Sequence, residues 1–285
     1  MKTAIIIILS LLIIATAGGS YYYYWVYQPK QYALRVVGVY AKLEAAGLKP
    51  DTSTLKDKND YSGAIKVLDE RIDLLTRLQG DLAAIKPPKS FARVHADITD
   101  FAALLLKQHK EAQQRGLFFS KVHDLLADSE VFKGEVHVLE KSNITRMGAL
   151  QKLWKKHLAQ DTLMAKELFV MAMPGLTAPS FSELKARYEA ALPAADAFSD
   201  IILSFNPALD ASQAGRAASA SMQKKIESAG TMIGEFYKLL NAAVDKESAY
   251  DILSFRFSSL PQTEMSERIF KISNTIQNLK KIYPR

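Results

Sequence analysis

The chain has 285 residues, 48% hydrophobic and 24% charged, which suits a globular protein with a sizeable core. It has no cysteine, which excludes disulfides, thiolate metal sites and a cysteine nucleophile. The formal net charge of +7 arises from 37 basic against 30 acidic residues, a near match that reads first as a mildly basic surface with no charged partner and otherwise as one suited to phospholipid heads or anionic envelope polymers, with no nucleic acid expected as a partner.

The N-terminal segment 1–29 is the most informative. Met1-Lys2-Thr3 precedes an apolar run from Ala4 to Ala17, then Gly18-Gly19-Ser20, then Tyr21, Tyr22, Tyr23, Tyr24, Trp25, Val26 and Tyr27. As helix, the 14-residue run Ala4–Ala17 is about 21 Å long, whereas a hydrocarbon core of about 30 Å needs about 20 residues. Two readings follow. The run is the apolar part of a signal peptide, cleaved after the small-x-small triplet Ala15-Thr16-Ala17, and the protein is secreted. Alternatively the helix continues to Tyr27, reaches roughly 36 Å and spans as a signal anchor. The aromatic string favours the anchor: Tyr21, Tyr22, Tyr23, Tyr24, Trp25 and Tyr27 suit the headgroup layer, where a ring is apolar at one end and wet at the other. The expectation is a single-pass protein, N-terminus cytoplasmic and bulk extracytoplasmic, whose first partner is the lipid bilayer.

Helical signals fill residues 30–285. Gln28-Pro29 should break or bend the leader helix. Lys30–Ala46 reads as helix capped by Gly47, and 48–60, with Pro50 and several Asp and Asn, reads as a linker. Ile65, Leu68, Ile72, Leu75 and Leu82 follow 3/4 spacing until Pro87-Pro88. Phe91, Val94, Ile98, Phe101 and Leu105 open the next helix, expected to reach about Leu126 with Gly116 as its one interruption. Gly134–Leu139 alternates as a strand would, but no partner strand is evident, so helix or irregular structure is expected there. A helix over about Thr145–Met171 closes at Pro174-Gly175, and another from Ser180 carries Pro193, which should kink or split it. Met222, Ile226, Ala229, Ile233, Phe236 and Leu240, then Met265, Ile269, Ile272, Ile276 and Leu279, each form a single apolar stripe. The predicted fold is all-α: an elongated antiparallel helical bundle behind one N-terminal transmembrane or signal helix, with a subdivision allowed near 173–180. Pro88-Lys89-Ser90-Phe91 and Ala178-Pro179-Ser180-Phe181 look alike, too little to establish a repeat.

Catalytic and metal motifs are absent. His95, His109, His123 and His137 recur every 14 residues, about 21 Å along one helix and too far apart to share a metal, so no metal or other cofactor is expected. Neither Glu-x-x-His, His-Glu-x-x-His, Gly-x-Ser-x-Gly nor a phosphate-binding glycine loop occurs. Asn143-Ile144-Thr145 fits a glycosylation acceptor, which matters only in a host with that machinery. His157 and Asp161 fall on the core-facing steps of a helix at i, i+4, where they could touch beside Trp154, a polar niche for a ligand or for acid–base work, or merely a buried pair. Lys152, Lys155 and Lys156 make the densest basic patch, suited to an anionic polymer or simply to solvent. The leading functional expectation is a membrane-tethered extracytoplasmic module with a binding or structural role, more plausibly not an enzyme, with anionic envelope polymers or another envelope protein as partners. The alternative is a cell-envelope hydrolase of wall polymers using His157 and Asp161.

Overall fold

The computed structural model describes residue 19 and residues 21–47, 52–141, 146–170, 179–255 and 262–283. The apolar run 4–17, the cleavage triplet, the 143–145 acceptor and the Pro174-Gly175 stop therefore lie outside the described residues. Among the described residues the fold is all-helical, as expected, and no strand is present; one isolated bridge joins Arg146 and Asp210.

The helices are α1 Gln28–Gly47, α2 Tyr61–Ala84, α3 Ala92–Lys141, α4 Met147–Val170, α5 Pro179–Ser204, α6 Ala211–Ala217, α7 Ala220–Lys246, α8 Ala249–Leu253 and α9 Gln262–Ile282. Three expectations need correction. Pro29 does not break the chain's first helix: Tyr23–Tyr27 winds as a π turn, and the Gln28 amide reaches back five residues to the Tyr23 carbonyl. A π turn absorbs the local disturbance that proline imposes without ending the helix. Next, α3 does not stop near Leu126 but runs on to Lys141, through Gly116 and through the alternating 134–139 stretch. Gly116 is explained by packing, because a Cβ there would lie 3.1 Å from Ile65 Cγ1 on α2. Finally, of the kink or split expected at Pro193, the split does not occur: α5 continues through this exposed residue, so the carbonyl its missing amide leaves free can be met by water.

The chain divides into two units, and α2 and α3 contribute residues to both. The first unit comprises residues 1–51, 67–110 and 258–285. Its core takes one stripe from each of four helices: Tyr32, Val36, Tyr40 and Leu43 of α1; Leu75, Leu78 and Leu82 of α2; Ile98, Phe101 and Leu105 of α3; Ile272, Ile276 and Leu279 of α9. These are the stripes the 3/4 spacings predict, converging because each helix has one apolar face to bury. His109 is fully buried, with Nδ1 2.8 Å from the Leu105 carbonyl, and burial pushes its pKa down to about 4.

The second unit comprises residues 52–66 and 111–257. Its polar anchor is Glu247, just after α7, held by both Nε and Nη2 of Arg115 on α3. Tyr61 Oη donates to the Glu247 carbonyl at 2.8 Å, and Tyr61 itself stacks on Phe119. Burial raises the Glu247 pKa, against the lowering effect of Arg115. The α7 N-terminus is capped by Ser219, and α8 opens with a capping box of Ser248 and Asp251.

Candidate functional site

The polar and aromatic residues that matter most gather in the second unit, where α3, α4, α5 and α7 supply neighbouring faces. Asp128, Phe132 and Glu135 recur at i, i+4, i+7 on α3 and so share one stripe. His157 of α4 is inserted into that stripe, 3% exposed. Its Nδ1 lies 2.8 Å from Asp128 Oδ2 and its Nε2 2.8 Å from Glu135 Oε2, with the ring edge-to-face on Phe132. Both neighbours are ionisable carboxylates, so the doubly protonated imidazolium satisfies both contacts at once. Burial opposes charge on the ring, but the hydrogen bonds to Asp128 and Glu135 outweigh it, and the pKa is raised above 6.5. Glu135 is held below the usual carboxylate range by His157 and then by Lys156.

This arrangement changes the role expected of His157. Both ring nitrogens are occupied by α3 carboxylates, which leaves no nitrogen for the anticipated pairing with Asp161, whose side chain lies outside the described part of α4. In its doubly protonated form the ring has no lone pair with which to act as a general base. Through these contacts His157 joins α4 to α3.

Trp154, one turn earlier on α4, is half-buried. Its Nε1 donates to Ser199 Oγ at 2.9 Å, and its ring meets Phe132 and Phe198 edge-on, at centroid distances of 5.7 and 4.9 Å. Trp154 also lines a cavity of about 510 Å³. The α3 wall is Leu125, Ser129, Phe132 and Lys133, and the α5 wall is Tyr188, Ala191, Leu192 and Ala195. Along α7 the wall runs from Gly230 to Asn241 through Ile233, Gly234, Tyr237 and Lys238. Each wall is a 3/4-spaced stripe, which is why the helices leave a groove and not a flat seam. Sequence reasoning found Trp154 but missed Asp128, Glu135, Ser199 and the groove. The one available signal was the acid–aromatic–acid stripe 128–132–135.

The three predicted lysines, at i, i+3 and i+4 of α4, are all exposed on neighbouring positions of the helix, and one of them is paired with an acid. Lys156 pairs with Glu135 at 3.2 Å, while Lys155 is exposed. Lys152 and Lys156 border a separate open depression of about 660 Å³, floored by Val131, Val138, Leu139 and Leu153. At the N-terminal end, the predicted interface residues Tyr21, Tyr22, Tyr23, Tyr24, Trp25 and Tyr27 are all exposed, between 46% and 69%. They contact mainly one another: Tyr21 stacks on Trp25, and Tyr23 on Tyr27. Among the described residues no helix is long and apolar enough to cross a membrane, and no group of three or more His, Asp or Glu is placed to hold a metal. No protein-family profile, curated protein or solved structure matches the chain.

Proposed function

We propose that this chain is a membrane-tethered extracytoplasmic helical module, non-enzymatic, that binds a ligand or partner at the cell envelope. In this reading the segment 1–29 is a signal anchor with an aromatic belt, ahead of an elongated antiparallel bundle. The observation that carries it is the ring of exposed aromatics at 21–27. Six large rings on successive turns of one helical segment are exposed, while the next helix, α1, buries a full stripe. Aromatic side chains on every side of a helix suit a headgroup layer, which surrounds the helix, better than a protein groove, which covers one face. The apolar run directly before them supplies the segment that would enter the hydrocarbon. The envelope-hydrolase alternative draws no support from His157, whose two nitrogens are already engaged.

The test is the intact mass of the protein recovered from its host's membrane and from the medium, with an alkaline carbonate wash of the membrane. A full-length mass that survives the wash is the expected result. A mass beginning at Gly18, found in the medium, would overturn the tether and make the protein a secreted one.

A further inference from the structure

We propose that the groove between α3, α5 and α7, lined also by Trp154 of α4, binds a single-chain amphiphile with an anionic head, a carboxylate or a phosphate. This deepens the binding-module reading and rests on it only for the word binding. It does not depend on the tether.

Four observations converge. The volume of about 510 Å³ lies within the ~300–1,000 Å³ of small-molecule sites, and the lining is dominated by aromatic and aliphatic side chains. Two glycines also line the space. Gly230 and Gly234 sit at i, i+4 inside α7, where glycine is unfavourable, and a Cβ at either would meet no atom within 4 Å. No neighbouring backbone requires these glycines; they leave room facing the groove. Next, the lining is asymmetric in charge. Among the described residues its charged members are Lys133 and Lys238, both exposed, and none is a carboxylate. Among the described residues Lys133 pairs with Glu130 on its own helix, in an exposed i,i+3 contact at 2.5 Å, weak enough for an anionic head to displace. Glu235, three residues before Lys238, pairs with Arg187 at 3.0 Å in another exposed contact. Finally, the polar groups are segregated: Leu125, Ala191 and Phe236 are buried, whereas Lys133, Lys238 and Asn241 are exposed. An apolar chain below and an anion at the rim match that distribution. A cationic head would meet two like charges.

The experiment is photolabelling of the full chain, in whichever fraction the mass measurement finds it. The probes are hexadecanoate, hexadecyl phosphate and hexadecylamine, each with a mid-chain diazirine, and labelled peptides are mapped by mass spectrometry. Labelling of peptides covering 125–133 and 230–241 by one or both anionic probes, about tenfold above the amine, is expected. The stronger of the two anionic probes identifies the source as a free fatty acid or a phosphate-headed lipid. Gly230→Leu with Gly234→Leu, which fills the groove, should abolish this labelling while the far-ultraviolet circular dichroism stays that of a helical protein. Lys133→Glu with Lys238→Glu should remove the preference for anions without touching the apolar wall. Equal labelling by all three probes, labelling confined to 21–27, or labelling that survives the filled groove would each overturn the proposal. A released protein that labels in the groove would sink the tether alone. A tethered protein that does not label there would sink this inference alone.

Discussion

His157 Nδ1 and Asp128 Oδ2 lie 2.8 Å apart, joining α4 to α3 across 29 positions of sequence in a site where the histidine is 3% exposed. With Glu135 on the other nitrogen, the charged ring is the form the fold selects. Its folded pKa stands above the unfolded value of 6.5, so its contribution to stability is complete below about pH 6.5 and fades as pH rises through the folded pKa. Urea denaturation should therefore give a lower midpoint at pH 9 than at pH 6.5. His157→Gln should flatten that part of the pH dependence. A slope unchanged in His157→Gln would show that another group is responsible. At neutral pH, His157→Ala should cost about 3 kcal/mol, since it leaves Asp128 half-buried without its partner.

The Arg115–Glu247 pair is the second anchor, with side chains only 10% and 5% exposed. Removing one partner of such a pair strands the other charge, so Arg115→Met or Glu247→Leu alone should cost about 3–5 kcal/mol. The double replacement should recover much of that loss, because the uncompensated charge is gone. Chemical denaturation of the three variants reads the cycle, and additive losses would show that the two groups do not act as a pair.

Two glycines of α3 should respond in opposite directions. A side chain at Gly116 would press on Ile65, so Gly116→Val should destabilise by about 1–3 kcal/mol. Gly134 faces open space in the same helix, and Gly134→Ala should stabilise by up to about 1 kcal/mol. Thermal melts of the two variants separate a glycine that packing requires from one that it does not.

In the first unit Leu75 is fully buried, between stripes from α1, α3 and α9. Leu75→Ala should cost about 2–5 kcal/mol through lost transfer energy and the cavity left behind. Exposed Ile282, at the end of α9, should tolerate alanine with a change within about 0.5 kcal/mol. Equal effects at the two positions would contradict the packing described for this unit.

Pro29 lies two residues after the π turn at Tyr23–Tyr27. Pro29→Ala restores an amide and removes the ring clash, so residues 21–30 should relax to regular α-helix and exchange their amide hydrogens more slowly. Hydrogen exchange over that segment measures it, and unchanged exchange would mean that the π turn has another cause.

The helical stripes were legible from spacing alone because burial of one face per helix is a local, periodic property. Ile98, Phe101 and Leu105, or Ile272, Ile276 and Leu279, announce their faces without knowledge of a partner. Helix ends were less legible. Pro29, Pro193 and Gly116 read as interruptions, yet each is accommodated inside a continuous helix: by a π turn, by exposure to solvent and by close packing on Ile65. Those three outcomes depend on what surrounds the residue.

The candidate site divides in the same way. Trp154 and His157 could be picked out because they occupy core-facing steps of an otherwise apolar frame. The partners of His157 could not be, since Asp128 and Glu135 come from another helix and i, i+4 reasoning sees only Asp161 on its own. The groove was invisible for the same reason: Gly230 and Gly234 look like weak points in a helix until α3 and α5 are placed beside them. By itself, the sequence determined that the chain is helical, which face of most helices is apolar, and that an aromatic belt follows an apolar run. Tertiary structure alone decided which charges meet and where the helices leave space, because these depend on residues far apart in sequence that only packing brings within contact distance.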